Sequence, residues 1–532
     1  MSNAPHRYPV GVQVFEDIRT KGYMYADKTA YIWEMLQMGG SFRFLSRPRR
    51  FGKTLLVSTL EAYFQGRKEL FSGLAIEQLD SREVWPEHPV IRLDLSDFKS
   101  AGLEGLYEKF DLMFRPYEAR YGIESPAVEP GSRLNDLIGA AAATEAGANG
   151  VVVLVDEYDA PLLNVMHDSR KLQQFREVMR EFYSPLKKSE ANLAFLFITG
   201  ISKFSQLSNF SELNNLANIS MEPRFGGICG ITAEELDGPL APDVAYLAER
   251  LGIGVEECRG ELKRRYDGYR FTEAPAEIYN PFSLVMTFDY GRLGSWWFGS
   301  GTPTSLVNLL KSADSVPEEF EGITLPSQAF DAPTEGMVDP IAFMYQSGYL
   351  TIKGYNPRFQ AYTLGIPNGE VEQGLFDALL PAVTGTTAVA TGGMLLQLSM
   401  AIADDNMDRA LRLLRSFMAQ IPYDLAPKRE KDFQTVLYLV FKLIGAHIET
   451  EVRTSAGRVD AVVRGDRRLY VIELKYRRAG EAAPTSADAL AQIGSKGYAL
   501  AWDACGMSVV KVGACYSEEA RTLDEDWIIE EG

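Results

Sequence analysis

Three short strings in this chain hold side chains suited to phosphate chemistry. The first is Arg47-Pro48-Arg49-Arg50-Phe51-Gly52-Lys53-Thr54. It ends as a phosphate-binding (Walker A) loop ends, in Gly-Lys-Thr. It begins, however, with arginine where the pattern G-x-x-x-x-G-K-[ST] has glycine. Gly52 lets backbone N–H groups close on a phosphate, Lys53 reaches the outer phosphates, and Thr54 offers its hydroxyl to Mg²⁺. The nucleotide-contacting stretch is expected to run over Arg49, Arg50, Phe51, Gly52, Lys53, Thr54 and Leu55.

The second string is Val151-Val152-Val153-Leu154-Val155-Asp156-Glu157. Consecutive apolar β-formers ending in two carboxylates describe a buried strand that delivers acids at its C-terminal edge, where ligands of open α/β sheets collect. Asp156 suits the Mg²⁺ shell as the acid of a Walker B strand, and Glu157 suits orienting or deprotonating a water. The third string is Gly457-Arg458-Val459-Asp460, followed after a polar gap by Leu469-Tyr470-Val471-Ile472-Glu473-Leu474-Lys475. On a strand, Glu473 and Lys475 share one face. A turn through Gly465-Asp466-Arg467 brings Asp460 alongside as the other half of a hairpin. Two carboxylates and a lysine in that arrangement fit Mg²⁺-dependent hydrolysis of a phosphodiester, the acids holding the metal and the lysine positioning water.

Elements must place these residues. Strands are expected at Phe42–Leu45, Val90–Leu95, Val151–Val155 and Leu193–Thr199, separated by helical stretches such as Thr54–Gln65 and Leu172–Lys188. That alternation indicates an α/β domain with a largely parallel sheet. Thr199 and Ser202 stand where the last strand turns polar, which makes them candidate γ-phosphate sensors. Arg43, Arg47, Arg49 and Arg50 surround the loop and could add donors to a triphosphate or contact a neighbouring subunit. Tyr121–Arg133, with Pro126, Pro130 and Gly131, reads as a loop excursion. Residues from about Thr232 to Met418 read as mostly helical, interrupted at Gly299–Pro303 and Asn356–Phe359. From Glu430 onward the order is helix, three short strands, helix, strand. Glu430 opens the helix, where a further acid would serve the hydrolytic site, and Gln492 on the later helix faces substrate or water.

Composition bounds the rest. The chain has 532 residues and a net charge of −18. That charge argues against a strong general DNA binder, so nucleic acid, DNA in the first instance, must be met through a local patch or with a partner's help. No apolar run approaches the ~18 residues that span a bilayer, and the N-terminus lacks a signal-peptide core. Four scattered cysteines and four histidines make a zinc site a poor fit and a reducing cytoplasm the expected compartment.

Together the strings resemble a known family: bacterial AAA-ATPase-like proteins fused to a C-terminal PD-(D/E)XK nuclease domain. The resemblance covers nearly the whole chain. Its marks include Tyr25-Ala26-Asp27-Lys28-Thr29, the arginine-headed loop, the strand ending Asp156-Glu157, and Phe197-Ile198-Thr199-Gly200-Ile201-Ser202-Lys203-Phe204. Further marks are Tyr266-Asp267-Gly268-Tyr269-Arg270-Phe271, Tyr279-Asn280-Pro281-Phe282, Ser300-Gly301-Thr302-Pro303, Ile366-Pro367-Asn368, the hairpin, Ala491-Gln492-Ile493 and Lys496-Gly497-Tyr498-Ala499. The resemblance implies that an initial arginine is characteristic of the family's loop. It also implies an ATP- and Mg²⁺-binding module with Lys53, Thr54, Asp156 and Glu157, and a nuclease centred on Asp460, Glu473 and Lys475. The expected organisation is an AAA-like P-loop core over 1–230, a helical lid and linker region over 231–425, and a nuclease-like α/β domain over 426–532. A homo-oligomer completing its ATP site with a neighbour's arginine is expected on the same ground. The rival expectation is a nucleotide-dependent switch or scaffold whose nuclease fold binds without cutting. The middle marks read mainly as packing, with Arg270 or Arg224 as alternatives for nucleotide sensing.

Overall fold

A computed structural model describes residues 5–99, 102–166, 168–202, 215–298, 304–312, 317–326, 329, 340–445, 448–454, 457–502 and 506–531. The chain divides into two compact units, Met1–Ser300 with Glu321–Glu370, and Gly301–Phe320 with Val371–Gly532.

The first unit is built on a five-stranded sheet of β1 (Phe42–Ser46), β2 (Val90–Asp94), β3 (Val151–Asp156), β4 (Leu193–Gly200) and β5 (Ala217–Asn218), in the order β2-β3-β4-β1-β5. Every neighbouring pair is parallel. Buried on both faces, β3 reads as an uninterrupted apolar run rather than an alternating one. Val151, Val153 and Val155 pack on one face against Phe110, Leu137, Phe182 and their neighbours from helices Leu103–Tyr121, Pro130–Ala142 and Ser169–Lys188. Helix Lys53–Phe64 contacts β2, β3 and β4, and its Phe64 ring meets Phe195 at 5.1 Å. Because β4 separates β1 from β3, the loop after β1 and the acids after β3 lie two strand spacings apart, roughly 10 Å.

Two local expectations change. The excursion read at Tyr121–Arg133 shrinks, because one helix continues to Tyr121 and the next starts at Pro130. Proline is favoured in that first turn because the missing N–H would be unsatisfied there anyway. The middle region is helical in large part but also carries sheet. Strands β6 (Ile231–Thr232) and β7 (Ile278–Tyr279) pair antiparallel, and β8 (Ile323–Pro326), β9 (Thr351–Asn356) and β10 (Ala361–Gly365) form a second sheet in the order β8-β10-β9. The predicted break at Asn356–Phe359 is the turn of the β9–β10 hairpin.

The second unit contains helices Ala388–Ala403, Met407–Ala419 and Glu430–Ile444 and a six-stranded sheet. Its strands are β11 (Ile448–Thr454), β12 (Gly457–Arg464), β13 (Arg468–Arg477), β14 (Ser508–Ser517), β15 (Thr522–Leu523) and β16 (Ile528–Glu531). β11, β12 and β13 form an antiparallel meander. β14 then runs parallel to β13 after a crossover through helix Ser486–Ser495. The predicted helix–three strands–helix–strand order is present, with β15 and β16 added on β14. Among the described residues no single helix is long and apolar enough to cross a membrane.

Candidate functional site

The phosphate loop leaves β1 at its C-terminal edge. Gly52 takes φ 91°, a left-handed conformation that a side chain would disfavour, and caps helix Lys53–Phe64. Lys53 is buried, and its Nζ donates to the Arg47 carbonyl at 3.1 Å and the Pro48 carbonyl at 3.0 Å. Burial lowers its pKa, while Glu157, Asp156 and Asp159 oppose that shift. Thr54 and Leu55 follow in the first turn, both half-buried.

Asp156 ends β3 with 1 % exposure. One carboxylate oxygen accepts from the Glu157 N–H at 3.0 Å, and the other, Oδ2, is buried without a partner. Burial raises its pKa, against the opposing pull of the Thr54 side chain and Lys53. Glu157 is held at φ 49° and is also raised by burial, with Lys53 opposing. A buried carboxylate oxygen lacking a partner, beside a loop-end threonine, is a donor set that fits Mg²⁺. That ion takes one or two protein carboxylates and fills its other positions with water and substrate phosphate.

Two sensor candidates are already engaged by other residues of the first unit. The Thr199 hydroxyl donates across the sheet to the Leu45 carbonyl at 2.7 Å and is fully buried, so its proton is committed within the sheet. Ser202 is engaged by Asp159, whose Oδ2 accepts from the Ser202 N–H at 2.6 Å and its hydroxyl at 2.5 Å. Lys203 and Phe204 lie outside the described residues, as do Ser300–Pro303.

The arginines also separate. Arg43 is buried and donates to the carbonyls of Met38 at 2.9 Å and Gly40 at 2.8 Å, tying the turn ahead of β1. Arg47, 2 % exposed, donates to the carbonyls of Ser46, Ser220 and Phe225 at 2.8–2.9 Å, with its guanidinium 4.4 Å over the Phe271 ring. Neither presents its charge to a phosphate. Arg49 and Arg50 are exposed; Arg50 lies 4.6 Å over the Phe282 ring.

Sequence reasoning missed what holds the loop. Phe51 sits edge-on between Tyr269 at 4.7 Å and Phe271 at 5.2 Å. The Trp297 indole donates to the Arg49 carbonyl at 3.2 Å. Gly348 leaves no room for a Cβ, which would stand 2.7 Å from the Pro48 side chain. The aromatic marks of the middle region therefore clamp the loop. Their density around Tyr269-Arg270-Phe271 was the available signal, but it named no partner. Arg270 bonds the Lys353 and Pro275 carbonyls, and Arg224 pairs with Glu222, so neither is directed to the loop.

The hydrolytic candidates converge in the second unit. β12 and β13 pair with Ala461 opposite Ile472, and the Leu474 N–H donates to Asp460 Oδ2 at 2.7 Å. Glu473 is 3 % exposed, and its Oε2 is buried without a partner. Its Oε1 accepts from Lys475 Nζ at 3.1 Å and from the Gln492 amide. Lys475 also donates to Gln492 Oε1 at 2.6 Å, closing a three-residue ring. Burial, reinforced by Asp460, pushes Glu473 up to about 7, with Lys475 opposing. Glu430 is exposed at the start of its helix and borders the same cleft as Asp460, together with Phe433, Leu474 and Tyr476. Among the described residues no three His, Cys, Asp or Glu side chains gather as a metal cluster. The Asp460–Glu473 pair with its unpartnered oxygen still meets what Mg²⁺ asks of a protein.

Comparison with known proteins agrees with both halves. Residues 9–210 match the family described as Predicted AAA-ATPase, and residues 428–526 match the PD-(D/E)XK nuclease superfamily. The chain is 34% identical over 531 residues to a protein of Azotobacter chroococcum mcd 1 designated "Uncharacterized protein in vnfD 5'region", covering 97% of this chain and 98% of that one. No solved structure matches. The chain belongs to the family of AAA-ATPase-like proteins that carry a C-terminal PD-(D/E)XK nuclease superfamily domain.

Proposed function

We propose that this protein binds and hydrolyses ATP with Mg²⁺ at the Lys53–Asp156 site and cleaves nucleic acid, DNA in the first instance, at the Asp460–Glu473–Lys475 site. The observation that carries this reading is the recurrence of one arrangement. Each site has a buried carboxylate oxygen without a partner, Asp156 Oδ2 or Glu473 Oε2, near a lysine. Bound Mg²⁺ would polarise the phosphoryl group and acidify water at either site. At the first, Lys53 exchanges the carbonyls of Arg47 and Pro48 for the outer phosphates, Thr54 and Asp156 hold the ion, and Glu157 orients or deprotonates water. Arg49 and Arg50, both exposed, are the donors available to the triphosphate or to a neighbouring subunit in a homo-oligomer. At the second, Asp460 and Glu473 hold the ion, Gln492 fixes the lysine, Lys475 positions water, and Glu430 stands at the rim of the cleft.

The reading assigns an ATPase core to residues 1–230, a lid and linker region to 231–425 and the nuclease to 426–532, with the cytoplasm as its compartment and ATP regulating cleavage. One observation favours a scaffold that does not cut nucleic acid: the net charge of −18 opposes the approach of a polyanionic substrate. A Mg²⁺-dependent cleavage assay on the full chain, with single- and double-stranded DNA and RNA, separates the two. The wild type is expected to cut at least one substrate and Glu473→Ala to cut it on the order of 10²–10³-fold more slowly. Cutting by neither, across all substrates, supports the scaffold, and equal cutting by both overturns the site assignment.

A further inference from the structure

Glu370 is 2 % exposed, stands in the first turn of helix Gly369–Thr384, and belongs to the first unit with everything it bonds. Its Oε1 accepts from the backbone N–H groups of Trp296 at 2.5 Å and Trp297 at 2.9 Å. Its Oε2 accepts at 2.7 Å from the hydroxyl of Ser283, on helix Pro281–Tyr290. Trp296 and Trp297 lie outside helix and strand, so their amides have no ladder to join, and a backbone N–H withdrawn from water needs a partner. One carboxylate oxygen supplies it to both. A side chain distant in sequence thus sets the turn on which two tryptophans are mounted.

Trp297 reaches the phosphate loop. Its ring packs against Phe298 at 5.1 Å and Tyr349 at 5.2 Å, and its indole N–H donates to the Arg49 carbonyl at 3.2 Å. The next residue, Arg50, has φ 68°, a left-handed conformation that is costly for a residue other than glycine and persists where its surroundings fix it. The Arg49 carbonyl and the Arg50 N–H share one rigid peptide plane, so the indole bond holds the plane about which that φ turns. Gly52, at φ 91°, and Lys53 follow at once.

We propose that Glu370 is a positioning residue of the nucleotide site. Through Trp297 it holds the Arg49–Arg50 peptide in the left-handed turn that delivers Gly52 and Lys53 to phosphate. It acts through the tryptophan, without touching nucleotide. The inference rests on the ATP-binding reading and is independent of the nuclease reading.

Two measurements on the full chain test this: calorimetric affinity for ATP with Mg²⁺, and deuterium exchange of the amides from Arg49 to Thr54 without nucleotide. Glu370→Ala is expected to weaken ATP binding about tenfold or more and to speed exchange in the loop, leaving exchange in β3 unchanged. Glu370→Gln, which keeps an oxygen for the two amides, is expected to restore most of both. Trp297→Phe, which keeps a ring but removes the indole N–H, is expected to weaken binding about three- to tenfold. In that background Glu370→Ala should weaken it by only about twofold further, because the path is already cut. A purely structural role would give the full loss again in the double variant, and that result overturns the proposal. So does a Glu370→Gln as weak as Glu370→Ala. Wild-type affinity and loop exchange in Trp297→Phe also overturn it, which decides the matter if Glu370→Ala does not fold. A wild type that fails to bind ATP overturns the ATP-binding reading itself. Faster loop exchange in the variants then still shows Glu370 holding the loop, whereas unchanged exchange overturns both.

Discussion

The two sites set a lysine near a buried carboxylate, but they restrain the lysine differently. Lys53 is held by backbone carbonyls of its own loop, and that loop is gripped from outside by Phe271, Tyr269, Trp297 and Gly348. Lys475 is held by two side chains, Glu473 and Gln492. The first arrangement leaves a lysine that phosphate can draw away, on a loop whose course does not depend on the ligand. The second is closed by its own side-chain hydrogen bonds without any ligand. A missing loop glycine is therefore tolerable: Arg47 turns into the protein to bond carbonyls, and the conformational freedom the pattern needs is kept at Gly52.

The largest effects should distinguish the sites. Glu473→Ala is expected to lower cleavage by on the order of 10²–10³-fold while leaving ATP turnover intact, and Lys53→Ala should do the reverse when cleavage is measured without ATP. Loss of both activities in either variant would break the comparison. Next is the clamp. Phe271→Ala removes the ring under Arg47 and beside Phe51, and should cost about 3–5 kcal/mol in denaturant unfolding of the first unit. Arg47→Gly, which restores the general loop pattern, should cost about 2–4 kcal/mol, because it strands the Ser220 and Phe225 carbonyls.

A smaller effect concerns the clamp's own buried acid. Burial pushes Asp267 up to about 6 from 3.8, and its Oδ1 has no partner. A carboxyl raised in the folded state favours its neutral form. Its contribution to stability is therefore fully present below about pH 3.8 and is lost as pH rises through about 6. Asp267→Asn should raise stability by about 2 kcal/mol at pH 8 and change little near pH 3.5, read as Tm across pH.

Much of this architecture is legible in the sequence because the decisive signals are local. Uninterrupted apolar runs mark buried parallel strands, and a strand's period of two puts Glu473 and Lys475 on one face. The same locality explains the failures. Thr199 looks available because a strand turns polar there, yet its hydroxyl is satisfied by Leu45 on a neighbour distant in sequence. The arginines read as a cationic cluster for phosphate, whereas Arg47 is bound by carbonyls at Ser220 and Phe225, which no spacing rule connects to it. Pro130 reads as a loop residue until the helix it begins is visible.

On the proposed function, the arginine-headed loop binds nucleotide through Lys53 while Arg47 serves only to hold the loop. The most direct measurement is the Mg²⁺-dependent affinity of the full chain for ATP in wild type, Lys53→Ala and Arg47→Gly. Binding is expected in the wild type, its loss in Lys53→Ala, and no tightening in Arg47→Gly. Unimpaired binding by Lys53→Ala, or tighter binding once the glycine is restored, would contradict it.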